Sequence, residues 1–291
     1  MQVLKFGGTS LGNAHRILEV LLIIQERCTQ SRLGVVLSAV SGVTDLLLTS
    51  ITKVLADEDV EISVSKFFTL HNTIIDELTH KNPEFPSKKI RDSLEEICNK
   101  YRTFLQEIQL IKECPVKAYC QILSLGERMS AHIMEVLLMQ IGIHIKFINS
   151  CDFIKTKRFL KESTPIIQEI ESRFSAVMEQ SFTVLLMSGF VGSDMEGNLS
   201  LLGRNGSDYS ASIMAVGVKA ERCEIWTDVD GFYTVDPTQI LDTKLIPVMS
   251  YGEAMELAYY GAKVLHHKTT RILMDYLIPL YIKNTFFPSH E

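Results

Sequence analysis

The sequence has no apolar run that approaches the roughly 18 to 20 residues needed to cross a membrane as a helix. Before its first glycines it also lacks an apolar stretch of signal-peptide length. Its six cysteines are scattered and form no CxxC pair, which argues against a disulfide framework or a zinc site. These absences predict a cytoplasmic protein that makes no membrane contact.

An excess of basic residues is also missing, because 29 Lys and Arg face 35 Asp and Glu for a net charge of −6. Without a basic stripe we predict no nucleic-acid partner. Neither GxxxxGKS/T nor GxGxxG occurs, which excludes a P-loop and a dinucleotide-binding fingerprint. At 46% hydrophobic and 22% charged, the 291 residues have the composition of a folded globular chain.

Short apolar runs bounded by glycine alternate with helical patterns, which predicts an α/β fold with a mainly parallel central sheet. The predicted strands are residues 3–6, 35–38, 143–148, 183–187, 221–227 and 279–283, and the predicted helices between them are residues 11–28, 43–55 and 207–220. Residues 63–142 contain no strand pattern and indicate consecutive helices, interrupted at residues 82–86 and 114–115.

One continuous domain, residues 1–291, is expected to contain two lobes with a cleft at the carboxyl ends of the strands. Each lobe would bind a different substrate, with the division at about residues 188 and 189. Residues 189–203 contain turn-forming Asp, Gly and Asn, so we expect a β-hairpin there.

The first polar motif, Lys5-Phe6-Gly7-Gly8-Thr9-Ser10, lies directly between a predicted strand and a predicted helix. Adjacent glycines allow close approach of the backbone to a ligand, and successive amides can form an anion-binding concavity. The amino terminus of the next helix and Lys5 would add positive charge. A tight strand-to-helix turn explains a bare Gly-Gly pair equally well, so both interpretations stay open at this point.

Two further strand-to-helix connections carry small and hydroxyl residues. Residues 38–44, which include Thr44, could form a second wall of a phosphate or carboxylate site, although helix capping alone also explains them. Residues 201–210 are the densest polar cluster in the chain. An N-cap accounts for Ser207 or Asp208, but it does not account for Arg204, which can hold a carboxylate bidentately.

The strand predicted at residues 221–227 ends in acids and an aromatic, and a base-binding site there would need Thr227, Asp228 and Tyr233 to converge. An ordinary Asp-Gly turn is the competing explanation. Lys263 comes two residues after Gly261, and a lone lysine is usually a solvated surface group. Glu127 could simply pair within its helix. Because no third ligand at metal spacing accompanies the adjacent histidines near residue 266, we predict no metal site.

In this order, the motifs resemble the aspartokinase branch of the amino acid kinase family. The resemblance runs from Lys5 to Phe287 and is carried by KFGGTS, SGVT, LGER, GRNGSDYSA, WTDVDGFYT, SYGEAMELAYYGAKVLH and IPLYIKNT. The first and fourth strings are most similar to the kinase half of bifunctional aspartokinase–homoserine dehydrogenases. The family fold that this resemblance implies is a three-layer α/β/α sandwich around a mainly parallel sheet.

The resemblance also implies roles for individual residues. The phosphates of ATP would be bound by Lys5, Gly7, Gly8, Thr9 and Ser10, and L-aspartate by Thr44, Glu127, Arg204 and Ser207. The nucleotide would be contacted by Thr227, Asp228, Tyr233 and Lys263 in the carboxy-terminal lobe, with aspartate on the amino-terminal side. Asp208 would position the lysines around the phosphates, so that Lys5 and Asp208 are the implied catalytic pair.

The implied reaction is ATP-dependent phosphorylation of the aspartate side chain to 4-phospho-L-aspartate, the first step toward lysine, threonine and methionine. A carboxylate with a pKa of about 3.9 is already ionised at neutral pH, so this chemistry requires no general base. Mg²⁺ would arrive mainly on the ATP phosphates. A different acceptor such as glutamate and a non-catalytic ligand-binding homologue are the alternatives. A second copy of the chain could also pair with it as a homodimer.

Three departures from the family pattern accompany the resemblance. Asp236-Pro237-Thr238 replaces Asp-Pro-Arg, and residues 265–269 read Leu-His-His-Lys-Thr in place of Leu-His-Pro-Arg-Thr. The regulatory modules that follow the kinase domain in relatives have no counterpart in the sequence. We therefore expect threonine and lysine to leave the activity of this chain unchanged at saturating aspartate, which steady-state kinetics can measure.

Overall fold

The computed structural model describes residues 1–157, 161–234, 243–259 and 267–289. The strands are β1 Gln2–Phe6, β2 Leu33–Leu37, β3 Ile145–Ile148, β4 Val184–Ser188, β5 Val191–Ser193, β6 Leu199–Leu201, β7 Arg222–Thr227, β8 Phe232–Tyr233, β9 Leu245–Ile246 and β10 Leu280–Asn284. The helices are α1 Ala14–Cys28, α2 Val43–Leu55, α3 Val60–Lys81, α4 Ser87–Ile111, α5 Val116–Leu123, α6 Leu125–Gln140, α7 Ser150–Phe153, α8 Ile167–Met178, α9 Gly206–Gly217, α10 Tyr251–Tyr259 and α11 His267–Asp275. A short 3-10 helix, Thr9–Leu11, precedes α1.

A six-stranded sheet has the order β10-β7-β1-β2-β4-β3, and every neighbouring pair in it is parallel. The strands β2 and β4 are buried at every position, which explains why their sequences are continuous apolar runs instead of alternating ones. The sheet contains the six strands predicted from the sequence, although β3 begins at Ile145 and not at residue 143. The chain leaves β1 toward β2 on one side and returns to β7 on the other, so a crevice opens at the carboxyl end of β1.

Helices cover both faces of this sheet and form the predicted three-layer α/β/α sandwich. One face packs against α9, which is supported by α8 and α11, while α1 and α6 lie on the opposite face. Successive side chains of β1 point to opposite faces of the sheet. Val3 therefore belongs to the core on the α9 face, and Leu4 and Phe6 belong to the core on the α1 and α6 face. Every residue of α9 is buried, because its Ala, Ser and Gly residues allow it to lie close to the sheet.

The helical region between β2 and β3 is broken where the prolines predicted it. The helix α3 ends at Lys81, α4 begins directly after Pro86, and α5 begins directly after Pro115. The predicted hairpin is also present, since β5 and β6 pair antiparallel with Val191 opposite Leu201. Within the described ranges, no helix is long and apolar enough to cross a membrane.

Candidate active site

A cleft of about 790 Å³ opens at the carboxyl ends of β1, β2, β4 and β7, where the sequence predicted it. The predicted site residues that line it are Lys5, Gly7, Gly8, Thr9, Thr44, Glu127, Arg204, Ser207, Asp208, Thr227 and Asp228. They come from segments far apart in the chain, and the parallel sheet brings their loops to one edge.

The glycine loop after β1 forms one wall of the cleft. The amide of Gly7 donates to the carbonyl of Trp226 at 3.0 Å, and the carbonyl of Gly8 accepts from the amide of Ser41 at 3.1 Å. A β-carbon at Gly8 would lie 2.9 Å from the carbonyl oxygen of Ala39, so only glycine fits this contact between the two loops. The amides of Gly8 and Thr9 donate to no acceptor within the described part of the chain, and they line the cleft.

A buried ion pair lies beside this loop. The ammonium of Lys5, at the end of β1, is 2.6 Å from a carboxylate oxygen of Asp208 in the first turn of α9. Only 10% of the Lys5 side chain and 7% of the Asp208 side chain are exposed. The carboxylate therefore holds the ammonium in one position, and little solvent screens its charge.

Glu127 also lines the cleft and lies in the first turn of α6. Its side chain is buried, and its Oε2 atom has no hydrogen-bond partner among the described residues. Burial raises the pKa of Glu127 to about 8, although the amides of Glu127 and Ala39 and the charge of Lys5 favour the ionised form. A β-carbon at Gly126 would lie 2.7 Å from that of Ala39, so a glycine is required where α6 meets the loop.

Arg204 is exposed at the rim of the cleft and precedes α9, which begins at Gly206. Its neighbour Asn205 has a left-handed backbone with φ 55°, a conformation that asparagine tolerates better than most residues. The guanidinium has no ion pair within the described ranges and is open to a ligand. Ser207, the second residue of α9, is buried and lines the cleft.

Two of the predicted site residues that the structure describes, Ser10 and Tyr233, do not line the cleft. The hydroxyl of Ser10 is fully buried and lies 2.6 Å from the hydroxyl of Thr285. The hydroxyl of Tyr233 donates to Asp230 at 3.0 Å, and Asp230 lines a separate cavity of about 650 Å³. Lys263 lies outside the described residues, as do residues 236–238 and 265–266.

The cleft also contains residues to which sequence reasoning assigned no role. Phe190, Tyr119 and Lys161 line it, with the Lys161 ammonium 4.0 Å from the centre of the Tyr119 ring. Phe190 has φ 72°, which is unusual for an aromatic residue, and it connects β4 to the hairpin. The sequence offered one indication of this, a Gly189-Phe190 dipeptide at the end of a predicted strand. The position of Phe190 beside the cleft depends on how the hairpin folds.

No group of three or more His, Cys, Asp or Glu side chains within the described ranges is arranged to hold a metal ion. The hydrogen-bond donors that the cleft does offer are amides, hydroxyls, two lysines and an arginine. This donor set suits the oxygens of phosphates and carboxylates.

A sequence model of the amino acid kinase family matches residues 1–284. The chain is 36% identical over 286 residues to a bifunctional aspartokinase/homoserine dehydrogenase of Buchnera aphidicola, and 32% identical over 287 residues to an aspartokinase of Chlamydia pneumoniae. These matches cover 98% and 99% of this chain, but 35% of the Buchnera protein and 61% of the Chlamydia protein. The chain therefore spans about a third of one relative and about three-fifths of the other.

The fold is similar to that of Escherichia coli aspartokinase III in a crystal structure with aspartate and ADP. The TM-score is 0.87 at 26% sequence identity, and the match covers 99% of this chain and 62% of that protein. The likeness extends across all three layers, so the cleft described above occupies a fold that is shared with a nucleotide- and aspartate-binding protein.

Proposed function

The chain belongs to the amino acid kinase family, and we propose that it transfers the γ-phosphoryl group of ATP to the side-chain carboxylate of L-aspartate. The products would be 4-phospho-L-aspartate and ADP. The observation that carries the proposal is one cleft that brings two kinds of group together. Free amides and the buried Lys5–Asp208 pair line the same cleft as Glu127 and Arg204. Similarity to aspartokinases over nearly the whole chain supports this choice of acceptor.

In the proposed reaction, a carboxylate oxygen of aspartate attacks the γ-phosphorus of ATP. The bond from that phosphorus to the β,γ-bridging oxygen breaks, and ADP leaves with the electron pair. Because the nucleophile is already ionised, the residues need only align two anions and neutralise the transferred group. Lys5 would donate to the oxygens of the phosphoryl group, while the amides of Gly8 and Thr9 would donate to the neighbouring phosphates.

Mg²⁺ bound to ATP would supply further positive charge on the phosphates. The cleft fits a metal that arrives with the nucleotide, since its donors suit phosphate oxygens and its buried Asp208 is already paired with Lys5. Thr227 and Asp228 line the same edge of the cleft and would contact the nucleotide. We extend that role to Tyr233 and Lys263, which would have to approach the nucleotide from β8 and from beyond α10.

The amino acid would be recognised by both of its backbone charges. The Glu127 carboxylate, with its unpartnered oxygen, would accept from the α-ammonium, and Arg204 would hold the α-carboxylate bidentately. Thr44 and Ser207 line the same cleft, and we propose that their hydroxyls hydrogen-bond the bound substrate. An acceptor without an amino acid backbone would leave both charges unpaired.

The wider assignments follow from this activity. We propose that residues 1 to about 188 contribute mainly to the aspartate side and residues from about 189 to 291 mainly to the nucleotide side of one kinase domain. The exceptions are the phosphate-binding loop after β1 and the aspartate ligands Arg204 and Ser207. We also propose that the chain acts in the cytoplasm as a homodimer, at the first step toward lysine, threonine and methionine.

Trapping of the acyl phosphate with hydroxylamine tests the proposal. We expect hydroxamate to form with aspartate and ATP, and to form much less with glutamate at the same ATP concentration. One methylene group is worth only about 1 to 3 kcal/mol of selectivity, so the two acceptors must be compared by kcat/KM. A higher kcat/KM for glutamate would identify a different amino acid kinase, and no hydroxamate with either would favour a non-catalytic binding protein.

The raised pKa of Glu127 predicts a pH dependence of aspartate binding. Below about pH 8 the free enzyme carries a proton on Glu127, which must leave before the carboxylate can pair with the substrate ammonium. We therefore expect the KM for aspartate to fall by up to about tenfold per pH unit as the pH rises toward about 8, and then to level off.

The Glu127→Gln variant is the control, because its side chain has the same shape and does not titrate. It should have a higher KM for aspartate that varies little over the same pH range. If the wild-type KM were constant from about pH 6 to about pH 8, Glu127 would not be the group that binds the ammonium.

A further inference from the structure

The end of the last strand contacts the back of the glycine loop. The hydroxyls of Ser10 and Thr285 are 2.6 Å apart, although 275 positions separate these residues in the sequence. Both residues are buried, with 0% of Ser10 and 1% of Thr285 exposed. Neither hydroxyl lines the cleft, so this contact cannot bind substrate directly.

The two hydroxyls form a chain of hydrogen bonds that ends at the carbonyl of Trp226. The Ser10 hydroxyl lies 3.4 Å from the carbonyl of Trp226, which also accepts from the amide of Gly7 at 3.0 Å. Both hydroxyl protons are used when Thr285 donates to Ser10 and Ser10 donates to Trp226. The amide of Thr285 donates to the carbonyl of Thr227 at 2.9 Å, which anchors Thr285 to the end of β7.

A second, indirect connection from the same strand end to the loop runs through Arg16. The Arg16 guanidinium lies 4.5 Å from the centre of the Phe286 ring and donates to the carbonyl of Thr9 at 2.8 Å. Thr285 thus contacts the glycine loop directly at Ser10, whereas Phe286 is connected to it through Arg16, and neither Thr285 nor Phe286 lines the cleft.

We propose that Thr285 is a positioning residue for phosphate binding, because its contact with Ser10 sets where the amides of Gly8 and Thr9 lie in the cleft. The inference rests on the proposed function. It gives the IPLYIKNT motif, which ends in Thr285 and lies outside the cleft, a role in positioning the glycine loop. It also gives Ser10 a role in phosphate binding that does not involve touching a phosphate. The loop is held from behind, and its front remains free for the ligand.

Thr285→Val changes this contact without changing the size of the side chain. A methyl group in place of the threonine oxygen would lie 2.6 Å from the Ser10 oxygen, well inside the usual carbon–oxygen separation of about 3.3 Å. Ser10 and the glycine loop must therefore move. We expect ATP with Mg²⁺ to bind about tenfold more weakly, as measured by titration calorimetry, while the KM for aspartate changes less than about twofold.

Two further variants should bind ATP more tightly than Thr285→Val. Thr285→Ser keeps the hydroxyl and should bind ATP within about twofold of the wild type. Ser10→Ala combined with Thr285→Val removes both hydroxyls and relieves the crowding, so the double variant should bind ATP more tightly than Thr285→Val alone. Recovery in the double variant would show that the separation between the two side chains determines the loop position.

Thr156→Val is the matched control, because Thr156 and Ser200 form a second buried hydroxyl pair, at 2.9 Å, away from the glycine loop. This control should lower the melting temperature but leave ATP affinity unchanged. Wild-type ATP affinity in Thr285→Val, or an equal loss in Thr156→Val, would overturn the proposal. If aspartate gave no hydroxamate but the variants showed the expected changes in ATP affinity, only the assignment of aspartate as the acceptor would be rejected. If the wild type bound no ATP, both the proposed function and the role of Thr285 would be rejected.

Discussion

Lys5→Ala is expected to lower kcat by about 10²- to 10³-fold while leaving the KM for aspartate within a few-fold of the wild-type value. In the proposed reaction its ammonium donates to the phosphoryl oxygens as their charge shifts in the transition state. Asp208→Asn should lower kcat by a similar factor, because the amide no longer attracts the ammonium that lies 2.6 Å from the carboxylate. Single-turnover measurements at saturating ATP and aspartate would measure both effects.

Stability must be measured with these variants, because each one leaves a buried charge without its partner. Removal of one member of a buried ion pair typically costs about 3 to 5 kcal/mol in the free energy of unfolding. Combining Lys5→Met with Asp208→Asn removes both charges and should restore much of that stability without restoring activity. An active double variant would contradict the role of this pair in phosphoryl transfer.

Lys53→Ala offers a control from the surface of the same chain. Lys53 pairs with Glu58 at 3.0 Å, but both side chains are substantially exposed, so the pair contributes about 0 to 1 kcal/mol. Its loss should change neither kcat nor either KM. A comparable fall in kcat here would mean that loss of any lysine impairs the enzyme, and that Lys5 has no special role.

Arg204→Ala should instead act on aspartate binding. Its proposed partner is the α-carboxylate, which is present in both the ground state and the transition state. Loss of a bidentate, charge-assisted contact should therefore raise the KM for aspartate by about 10- to 100-fold, with a much smaller change in kcat and in the KM for ATP. Initial-rate measurements with each substrate varied in turn would separate these effects.

Arg204→Lys refines the test, since it keeps the charge and loses the planar pair of donors. It should give a KM for aspartate between those of the wild type and Arg204→Ala. If the KM for ATP rose most in both variants, Arg204 would act on the nucleotide and its assignment to the α-carboxylate of aspartate would be wrong.

Much of the fold follows from interactions that act over a few residues. The prolines at 83, 86 and 115 end or begin helices because they lack an amide proton and crowd the preceding turn, and the helix boundaries fall there. Continuous apolar runs become buried parallel strands because both faces of the sheet are covered. The location of the cleft follows as well, since loops after parallel strands meet at one edge.

The sequence by itself determined which loops line the cleft, because glycine, lysine and acidic residues follow strand ends in a recognisable order. Only the tertiary structure decided what each side chain does there. It pairs Lys5 with Asp208 through the packing of α9 on β1, and it raises the pKa of Glu127 through burial. It also turns Ser10 away from the cleft toward Thr285. Side-chain direction and burial depend on which strands become neighbours, and those neighbours come from distant parts of the chain.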